Sequence, residues 1–492
     1  MSDLTSKVLK SSSLLLFAKT LQRATGLLSV LILARLLGPN DFGIVAISAL
    51  IIHFADALAA SGSEAYLIQK KSVDSVDLST SWTIDILLKG GVCILLILAA
   101  PLVVDFYHDS RLLDLIRVAS AVLILNALKN PGMALLKREL QYRKIFIVLV
   151  SQKLISFVCT VSVAFVTHSY WALVVGDLVS SGVMLVGSYL VHPFRPRLSF
   201  NRYKEQWVFS KWILLRAGVG YGKSEMDSLF VSKFFSPQEL GAFYVTKNLS
   251  VLPSRDIITP AVEPLLSSLS QVQSEPKVFS AQLSKSLFVI ISLVTPICVF
   301  MFFFPEFIIN FFFGSKWTSA YPLLPPLAIV LGTIAVGQVV NQALVALGKV
   351  RSMFIYEMIG IFLLAITLFI CRGDTISTFT YYRALMAVVL VSGTLVYLRS
   401  IVDISLIRLV FLSFPTIVLA IGVASFERLF LKSMDFSHAF INIVPAGLLF
   451  VALFFVGFFI ITKVLYSKFP EGVFFLKLVT ALKDKVAKRL LN

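Results

Sequence analysis

Long apolar runs separated by short polar connections dominate the chain. A helix needs about 20 apolar residues to cross the hydrocarbon core of a bilayer, and on that scale the sequence predicts about fourteen membrane-spanning helices. They cover approximately residues 11–37, 41–66, 78–104, 112–135, 145–167, 169–191, 207–234, 240–262, 284–304, 320–346, 352–371, 376–398, 407–430 and 438–462. The connections are short, so no domain outside the membrane is predicted.

Composition supports an all-α integral membrane protein. Hydrophobic residues make up 58% of the chain and charged residues 14%, and the mean hydropathy is +0.89. A set of soluble domains would carry more charge. The net charge of +17 would suit nucleic acid, but the basic residues lie mainly between the apolar runs and predict no nucleic-acid partner. The four cysteines are isolated, so neither a disulfide framework nor a metal site is expected.

The distribution of Lys and Arg predicts the orientation. With the N-terminus inside, the inner connections and the tail hold 25 basic residues and the outer connections hold 7. Basic residues accumulate on the cytoplasmic side of membrane proteins, so both termini are predicted to be cytoplasmic. The other 12 of the 44 basic residues lie within the spans.

The chain also repeats itself. The stretch 35–43 matches the stretch 233–241 at an offset of 198 residues, with basic, Pro, acidic and Gly positions in common. Six spans separate the copies, which predicts a parallel duplication, as in transporters with two lobes around a central cleft. The predicted parts are an N-terminal lobe at 1–192, a cytoplasmic linker at 193–206, a C-terminal lobe at 207–400, two additional spans within 401–466 and a basic amphipathic tail at 467–492. The tail is expected to lie on the anionic inner leaflet.

Basic residues inside the spans predict a cationic cavity. Each one facing lipid would cost about 2.5–3.5 kcal/mol, so these side chains must meet acids, water or an anion. The predicted anion-binding residues are Lys19, Arg23, Lys89, Arg117, Lys129, Lys153, Arg216 and Lys223. Two of them could be neutralised by an acid on their own helix instead, because Lys89 follows Asp85 and Lys223 precedes Asp227 by four residues.

Other polar side chains in the spans suggest ion coupling and sugar contacts. His53 and Asp56 could form a relay for H+ or Na+, and Asp227 and Glu357 are further candidates. One face of the tenth span carries Gln338, Asn341 and Gln342, which could bind sugar hydroxyls or bond between helices. Nucleotide-binding and hydrolase motifs are absent from the sequence. No enzyme activity, catalytic residue or cofactor is therefore predicted, and energy would come from an ion gradient or the substrate's own gradient.

Several short motifs add a family resemblance. They are Ala34-Arg35, Phe42-Gly43, Asp56, Gly62, Ile68-Gln69-Lys70-Lys71, Asp227, Tyr244, Asn248, Gly314, Lys316-Trp317 and Leu347-Gly348-Lys349. In order and spacing, over about residues 10–400, they resemble the bacterial polysaccharide and lipopolysaccharide exporters of the multidrug/oligosaccharidyl-lipid/polysaccharide superfamily. The similarity is to the colanic-acid exporter branch.

The resemblance implies an inner-membrane flippase that works by alternating access. Its substrate would be an undecaprenyl-diphosphate-linked oligosaccharide, and a polysaccharide polymerase could be a partner. A diphosphate suits the predicted cationic cavity, whereas a drug antiporter that expels cations would be expected to have an acidic one. Three alternatives remain: an ion-coupled multidrug antiporter, a flippase for lipid-linked peptidoglycan precursor, and a non-transporting membrane partner of a polymerase.

Overall fold

The computed structural model describes residues 2–432, 439–464, 469–471 and 473, and all regular elements in this part of the chain are helical. In order they are α1 (Ser2–Leu36), α2 (Pro39–Leu58), α3 (Ser63–Gln69), α4 (Ser75–Tyr107), α5 (Arg111–Ala119), α6 (Ala121–Ala127), α7 (Gly132–Arg138), α8 (Tyr142–Thr167), α9 (Trp171–Val191), α10 (Tyr203–Phe234), α11 (Pro237–Pro253), α12 (Thr259–Val262), α13 (Leu265–Gln271), α14 (Pro276–Phe303), α15 (Pro305–Phe313), α16 (Leu324–Ala346), α17 (Val350–Ile370), α18 (Ile376–Ile401), α19 (Leu406–Lys432) and α20 (Ala439–Val464). A π-helical turn, Ser254–Ile258, joins α11 to α12, and 3-10 turns lie at Ser315–Leu323 and Cys371–Gly373. The predicted amphipathic tail falls almost wholly outside the described residues.

Ten of the described helices or helix pairs are long and apolar enough to cross a membrane. A multi-pass membrane protein is thereby confirmed, but the count of fourteen spans is not. Four of the predicted segments are not long apolar helices of this kind, for different physical reasons. The segment 112–135 is divided among three short helices, 207–234 is one continuous helix with many charges, 240–262 is interrupted by the π-helical turn, and the described apolar part of the last is Gly447–Lys463.

Asn130 explains the interruption between α6 and α7. Its side-chain oxygen accepts a hydrogen bond from the backbone N–H of Gly132, and its amide donates to the backbone oxygens of His192 and Phe194. These bonds compete with helical hydrogen bonding, and Pro131 lacks the N–H that would continue the helix.

The two repeated connections begin their following helices in the same way. Asp41 accepts a hydrogen bond from the N–H of Gly38 at 3.0 Å, and Glu239 accepts one from the N–H of Ser236 at 2.9 Å. Each acid therefore satisfies a backbone donor at a helix start, as in a capping box. The offset between the two acids is again 198 residues, so the sequence repeat is also a repeat of local structure.

Reciprocal contacts pack these connections against each other. A Cβ atom added to Gly43 would lie 1.6 Å from the carbonyl oxygen of Pro237. One added to Gly241 would lie 1.9 Å from the carbonyl oxygen of Pro39. Since real Cβ atoms essentially never come this close to backbone, each copy places glycine where the other copy's backbone approaches.

The chain divides into two compact units. The first comprises Met1–Tyr244 with Phe312–Lys316, and the second Val245–Phe311 with Trp317–Asn492. In the first, α1 packs on α8, α8 packs on α9, and α2 packs on α10. In the second, α14 contacts α16 and α19, and a buried aromatic cluster that includes Phe288, Phe454 and Phe458 fixes the last helices. The lobes at 1–192 and 207–400 follow the sequence repeat instead and stay a prediction.

We expect Gly43→Ala to lower the thermal unfolding midpoint of the purified protein. The new methyl group would overlap backbone that cannot rotate away, and such overpacking costs about 1–3 kcal/mol. Gly91→Ala is the matched control, because nothing lies within 4 Å of its Cβ position. A midpoint for Gly43→Ala at or above that of the control would contradict the close approach.

Candidate functional site

Lys153 lies against the first helix. Gly26 of α1 would place a Cβ atom 3.8 Å from the Cε and Nζ atoms of Lys153 on α8. The neighbouring turn is tied to α8 as well, because Gln22 donates a hydrogen bond to the backbone oxygen of Leu149 at 3.4 Å. Arg23 lies three residues before Gly26 and therefore on a neighbouring part of the helix surface. The structure thus brings two predicted basic residues, Arg23 and Lys153, to one region of α1 and α8.

An acidic residue joins this region from α9. Asp177 interacts electrostatically with His53 of α2 and with Lys153. Asp177 is thus a further acid near His53, and the relay of His53 with Asp56 stays a prediction. Asp177 was not among the predicted site residues, and the signal that could have found it is an acid inside an apolar span.

α10 presents a basic face away from α2. The hydroxyl of Tyr221 donates a hydrogen bond to the backbone oxygen of Leu50 at 2.9 Å, which holds α10 on α2. Arg216 and Lys223 are both exposed, and their spacing of seven residues puts them on one side of the helix. The side chains of Lys19, Arg23 and Arg117 are exposed as well.

Lys89 and Lys129 line a different feature, a cavity of about 330 Å³ within the first unit. Neither Arg23 nor Arg216 contributes to its lining. The ammonium of Lys89 forms an ion pair with Asp56 at 3.0 Å. Lys89 therefore forms its ion pair with an acid on α2, and it also attracts Asp85, four residues before it on α4, through space.

Asp85 also lines the cavity, and its hydrogen-bond partners were not predicted from the sequence. Its Oδ1 atom accepts hydrogen bonds from the hydroxyls of Ser61 and Ser63. These serines lie where the helix breaks between α2 and α3, at Gly62, whose φ of 67° is left-handed and favours glycine. The signal in the sequence was the Ser-Gly-Ser stretch at the end of a predicted span.

At the predicted cytoplasmic end, charged groups join the start of α10 to α3 and α4. Arg202 contacts Asp77 at 2.8 Å and Asp74 at 2.7 Å, while Lys70 contacts Asp77 at 2.7 Å and Glu205 at 3.1 Å. Asp77 is fully buried. This network fixes the linker and the first turn of α10.

The same contacts shift two pKa values in opposite directions. Hydrogen bonds from Lys70 and then Tyr66 hold the pKa of Glu205 below its ordinary value. Partial burial by itself would lower the pKa of Lys70, but hydrogen bonds with Asp77, Tyr66 and Glu205 outweigh burial and raise it. Both groups therefore stay charged around neutral pH.

In the second unit, Gln338 of α16 is engaged with the π-helical turn. Its amide nitrogen donates to the hydroxyl oxygens of Ser254 at 3.1 Å and Thr259 at 3.2 Å. Asn341 is exposed, and Gln342 and Glu357 are partly buried. The sugar-contact role of the three amides stays a prediction.

Similarity to known proteins agrees with this architecture. The lipopolysaccharide biosynthesis protein WzxC of Escherichia coli is 25% identical over 346 residues, 69% of this chain and 70% of WzxC. The succinoglycan biosynthesis transport protein ExoT of Rhizobium meliloti is 23% identical, covering 62% of each chain. The solved structure of the lipid II flippase MurJ in an inward closed conformation superposes with a TM-score of 0.71 at 14% identity, over 91% of this chain and 98% of MurJ.

The family model described as polysaccharide biosynthesis protein matches residues 32–322, which is more than half of the chain. The match includes α2 to α10, the helices that carry both repeated connections and the cavity. It confirms the resemblance found in the sequence. The chain belongs to the polysaccharide biosynthesis protein family.

Proposed function

We propose that this protein is a flippase that moves lipid-linked oligosaccharide repeat units across the bacterial inner membrane for exopolysaccharide or lipopolysaccharide synthesis. Membership of the polysaccharide biosynthesis family carries this proposal. Two further observations support it: ExoT, a relative, is a transport protein, and the fold resembles that of a lipid II flippase.

The carrier of the sugar would be undecaprenyl diphosphate, bound by the exposed basic residues of the first unit. Arg23 on α1 and Arg216 and Lys223 on α10 are exposed in the middle parts of their helices. Arginine can bind phosphate oxygens through two parallel hydrogen bonds, and lysine supplies a point charge. Lys153, which lies beside α1, would add a positive charge to the same diphosphate-binding site.

Replacing Arg23 or Arg216 by Ala should abolish polysaccharide export while the protein remains in the membrane at its normal level. Lys at either position should restore part of the export, because it keeps the charge but loses the paired hydrogen bonds. Arg111→Ala is the control, since Arg111 lies at the start of α5 and forms an ion pair with Asp109 at 2.7 Å. Normal export by both Ala variants at wild-type protein levels would refute this binding site.

Export assays also separate the proposed substrate from its alternatives. A drug antiporter would change drug sensitivity when deleted, and its organic cations would be repelled by exposed Arg and Lys side chains. Lipid-linked peptidoglycan precursor carries the same diphosphate, so charge does not distinguish it. Rescue of cells depleted of their own lipid II flippase, without any effect on polysaccharide export, would identify that substrate instead.

Both termini should lie in the cytoplasm, because the predicted inner segments hold 25 of the basic residues against 7 outside. Reporter fusions after Asn492 and within the connection 195–204 should both report the cytoplasm. A periplasmic signal at either position would contradict the orientation.

Transport would proceed by alternating access between the two predicted lobes. A parallel repeat places a shared cleft on its pseudo-twofold axis, and α1 and α10 would border that cleft. The sugar would occupy the cleft while the lipid tail stays in the bilayer, because leaving it would lose about 0.8 kcal/mol for each CH₂ group. A lateral gap beside α1 and α10 would let the tail follow the headgroup.

Crosslinking the repeated connections should stop transport. Asn40 and Gln238 are exposed and adjoin Pro39 and Pro237, so cysteines there should react with a cleavable bifunctional thiol reagent. The four native cysteines are free thiols and must first be replaced. Export should cease on crosslinking and return after cleavage. Full export with the crosslink quantitatively formed would show that these ends need not separate.

A further inference from the structure

A cavity in the second unit lies between the short helix α13 and the first turns of α14, and its volume is about 720 Å³. Among the residues that the structure describes, the charged side chains in its lining are Lys277 and Lys285. The nearest acids along the chain, Glu263 and Glu275, are exposed and do not contribute to this lining. The described lining therefore carries two positive charges and no negative charge.

The lysines share one face of α14 with small and polar side chains. Six residues of α14 line the cavity in two adjacent rows with a spacing of four, namely Lys277, Ala281 and Lys285, and Val278, Gln282 and Ser286. Residues four apart lie on the same side of a helix. Opposite them, Ala261, Pro264 and Leu265 supply an apolar wall. A cavity with basic groups on one wall and apolar groups on the other suits an amphipathic anion.

Ser268 of α13 adds a hydrogen-bond donor to the cavity. Its hydroxyl oxygen accepts a hydrogen bond from the side-chain amide of Gln282, which ties α13 to α14. A serine hydroxyl has one proton to donate besides its lone pairs, so this bond leaves the proton for a ligand. Lys277 is exposed and forms no ion pair with any residue that the structure describes. An ammonium and a hydroxyl are donors that a phosphate oxygen can accept from.

The length of α14 puts the cavity at the level of the lipid headgroups. α14 has 28 residues, or about 42 Å at 1.5 Å per residue, whereas the hydrocarbon core is about 30 Å thick. The part from Leu287 to Phe303 carries no charged residue, so the excess length lies at the start of the helix. The predicted orientation places this start on the cytoplasmic side, where the leaflet contains anionic lipid.

A phospholipid matches both walls of the cavity. Its phosphate would meet the lysines and Ser268, and its glycerol and upper acyl chains would cover the apolar wall, which free phosphate would leave in water. The C-terminal tail of the chain carries Lys477, Lys483, Lys485 and Lys488, so its charge would be repelled. The diphosphate of the carrier already has its proposed site in the first unit.

We propose that the cavity between α13 and α14 binds the headgroup of an anionic phospholipid from the inner leaflet, with Lys277, Lys285 and Ser268 contacting its phosphate. The bound lipid would hold α13 and α14 together at the membrane surface. This site goes beyond the flippase proposal and does not depend on it.

Photolabelling of the full-length protein tests the site in a bilayer. The protein is placed in nanodiscs of phosphatidylcholine with a rising mole fraction of photoactivatable phosphatidylglycerol, and mass spectrometry of peptides measures the labelling of α13 and the start of α14. We expect this labelling to saturate, and to exceed that by photoactivatable phosphatidylcholine, which has no net charge. Inorganic phosphate in the buffer at constant ionic strength should not reduce it.

Variants assign the labelling to the cavity. Lys277→Gln should raise the fraction of phosphatidylglycerol at half-saturation about fivefold, because one lysine near an anionic leaflet contributes that much to binding. Ala281→Phe keeps both lysines, and its ring should exclude the lipid from the cavity. Lys349→Gln is the matched control, since Lys349 is an exposed lysine of the same unit that precedes α17 and does not line the cavity.

Four results would overturn the proposal. They are equal labelling by phosphatidylcholine, unchanged half-saturation in Lys277→Gln, wild-type labelling in Ala281→Phe, and loss of labelling when inorganic phosphate or equimolar undecaprenyl diphosphate is added. The last would assign the cavity to free phosphate or to the carrier. Ala281→Phe decides the matter if Lys277→Gln does not fold. Polysaccharide export is not measured here, so the flippase proposal stands or falls separately.

Discussion

The cost of placing charge in a membrane is the constraint on which the rest of this structure depends. Three charged groups of the first unit show three ways in which this cost is met. Lys89 is paired with Asp56 across two helices, Asp85 is surrounded by hydroxyl donors, and Arg216 is exposed. An ion pair such as Lys89–Asp56 has a structural role, because its two charges already neutralise each other. The second kind is stabilised by hydrogen bonds and by the nearby charge of Lys89, and the third is the kind that is able to recognise an anion.

Polar side chains of this apolar protein form hydrogen-bond networks where its helices are interrupted. α2 ends at Leu58, and α11 gives way to the π-helical turn Ser254–Ile258. At an offset of 198 residues, Leu58 corresponds to Asp256 within that turn, so the helices that follow the two repeated connections are interrupted at corresponding places. In the first repeat the break turns Ser61 and Ser63 toward Asp85, and in the second it engages Gln338. Interrupted helices leave backbone and hydroxyl groups to be satisfied elsewhere, which is why the polar networks lie at these two places.

Local patterns could be predicted from the sequence, and contacts between helices could not. The continuous helices α4, α8 and α9 follow from uninterrupted apolar runs, and the repeated connection was recognisable because Pro, acid and Gly each have a local role in starting or packing a helix. The break between α6 and α7 was missed because Asn130 bonds to backbone more than 60 residues away. The partner of Lys89 was missed for a related reason. An acid four residues away is the natural choice on one helix, while the neighbouring α2 offers Asp56 only after the helices have packed.

α10 links these observations, because different forces hold its two ends. At the predicted periplasmic end, Gly43 and Gly241 allow close backbone contact between the repeated connections. The residues in this contact are two glycines and the two prolines Pro39 and Pro237, none of which titrates. At the predicted cytoplasmic end, Gln206 and the ion pairs of Arg202 hold α10 to α3 and α4. Steric contact responds to neither pH nor salt, whereas hydrogen bonds next to a carboxylate respond to its charge. The cytoplasmic contacts of α10 therefore include titratable groups, whereas the close contact between backbones does not. The exposed Arg216 and Lys223 lie between the two ends, so both sets of contacts hold in place the face that we propose binds the anion.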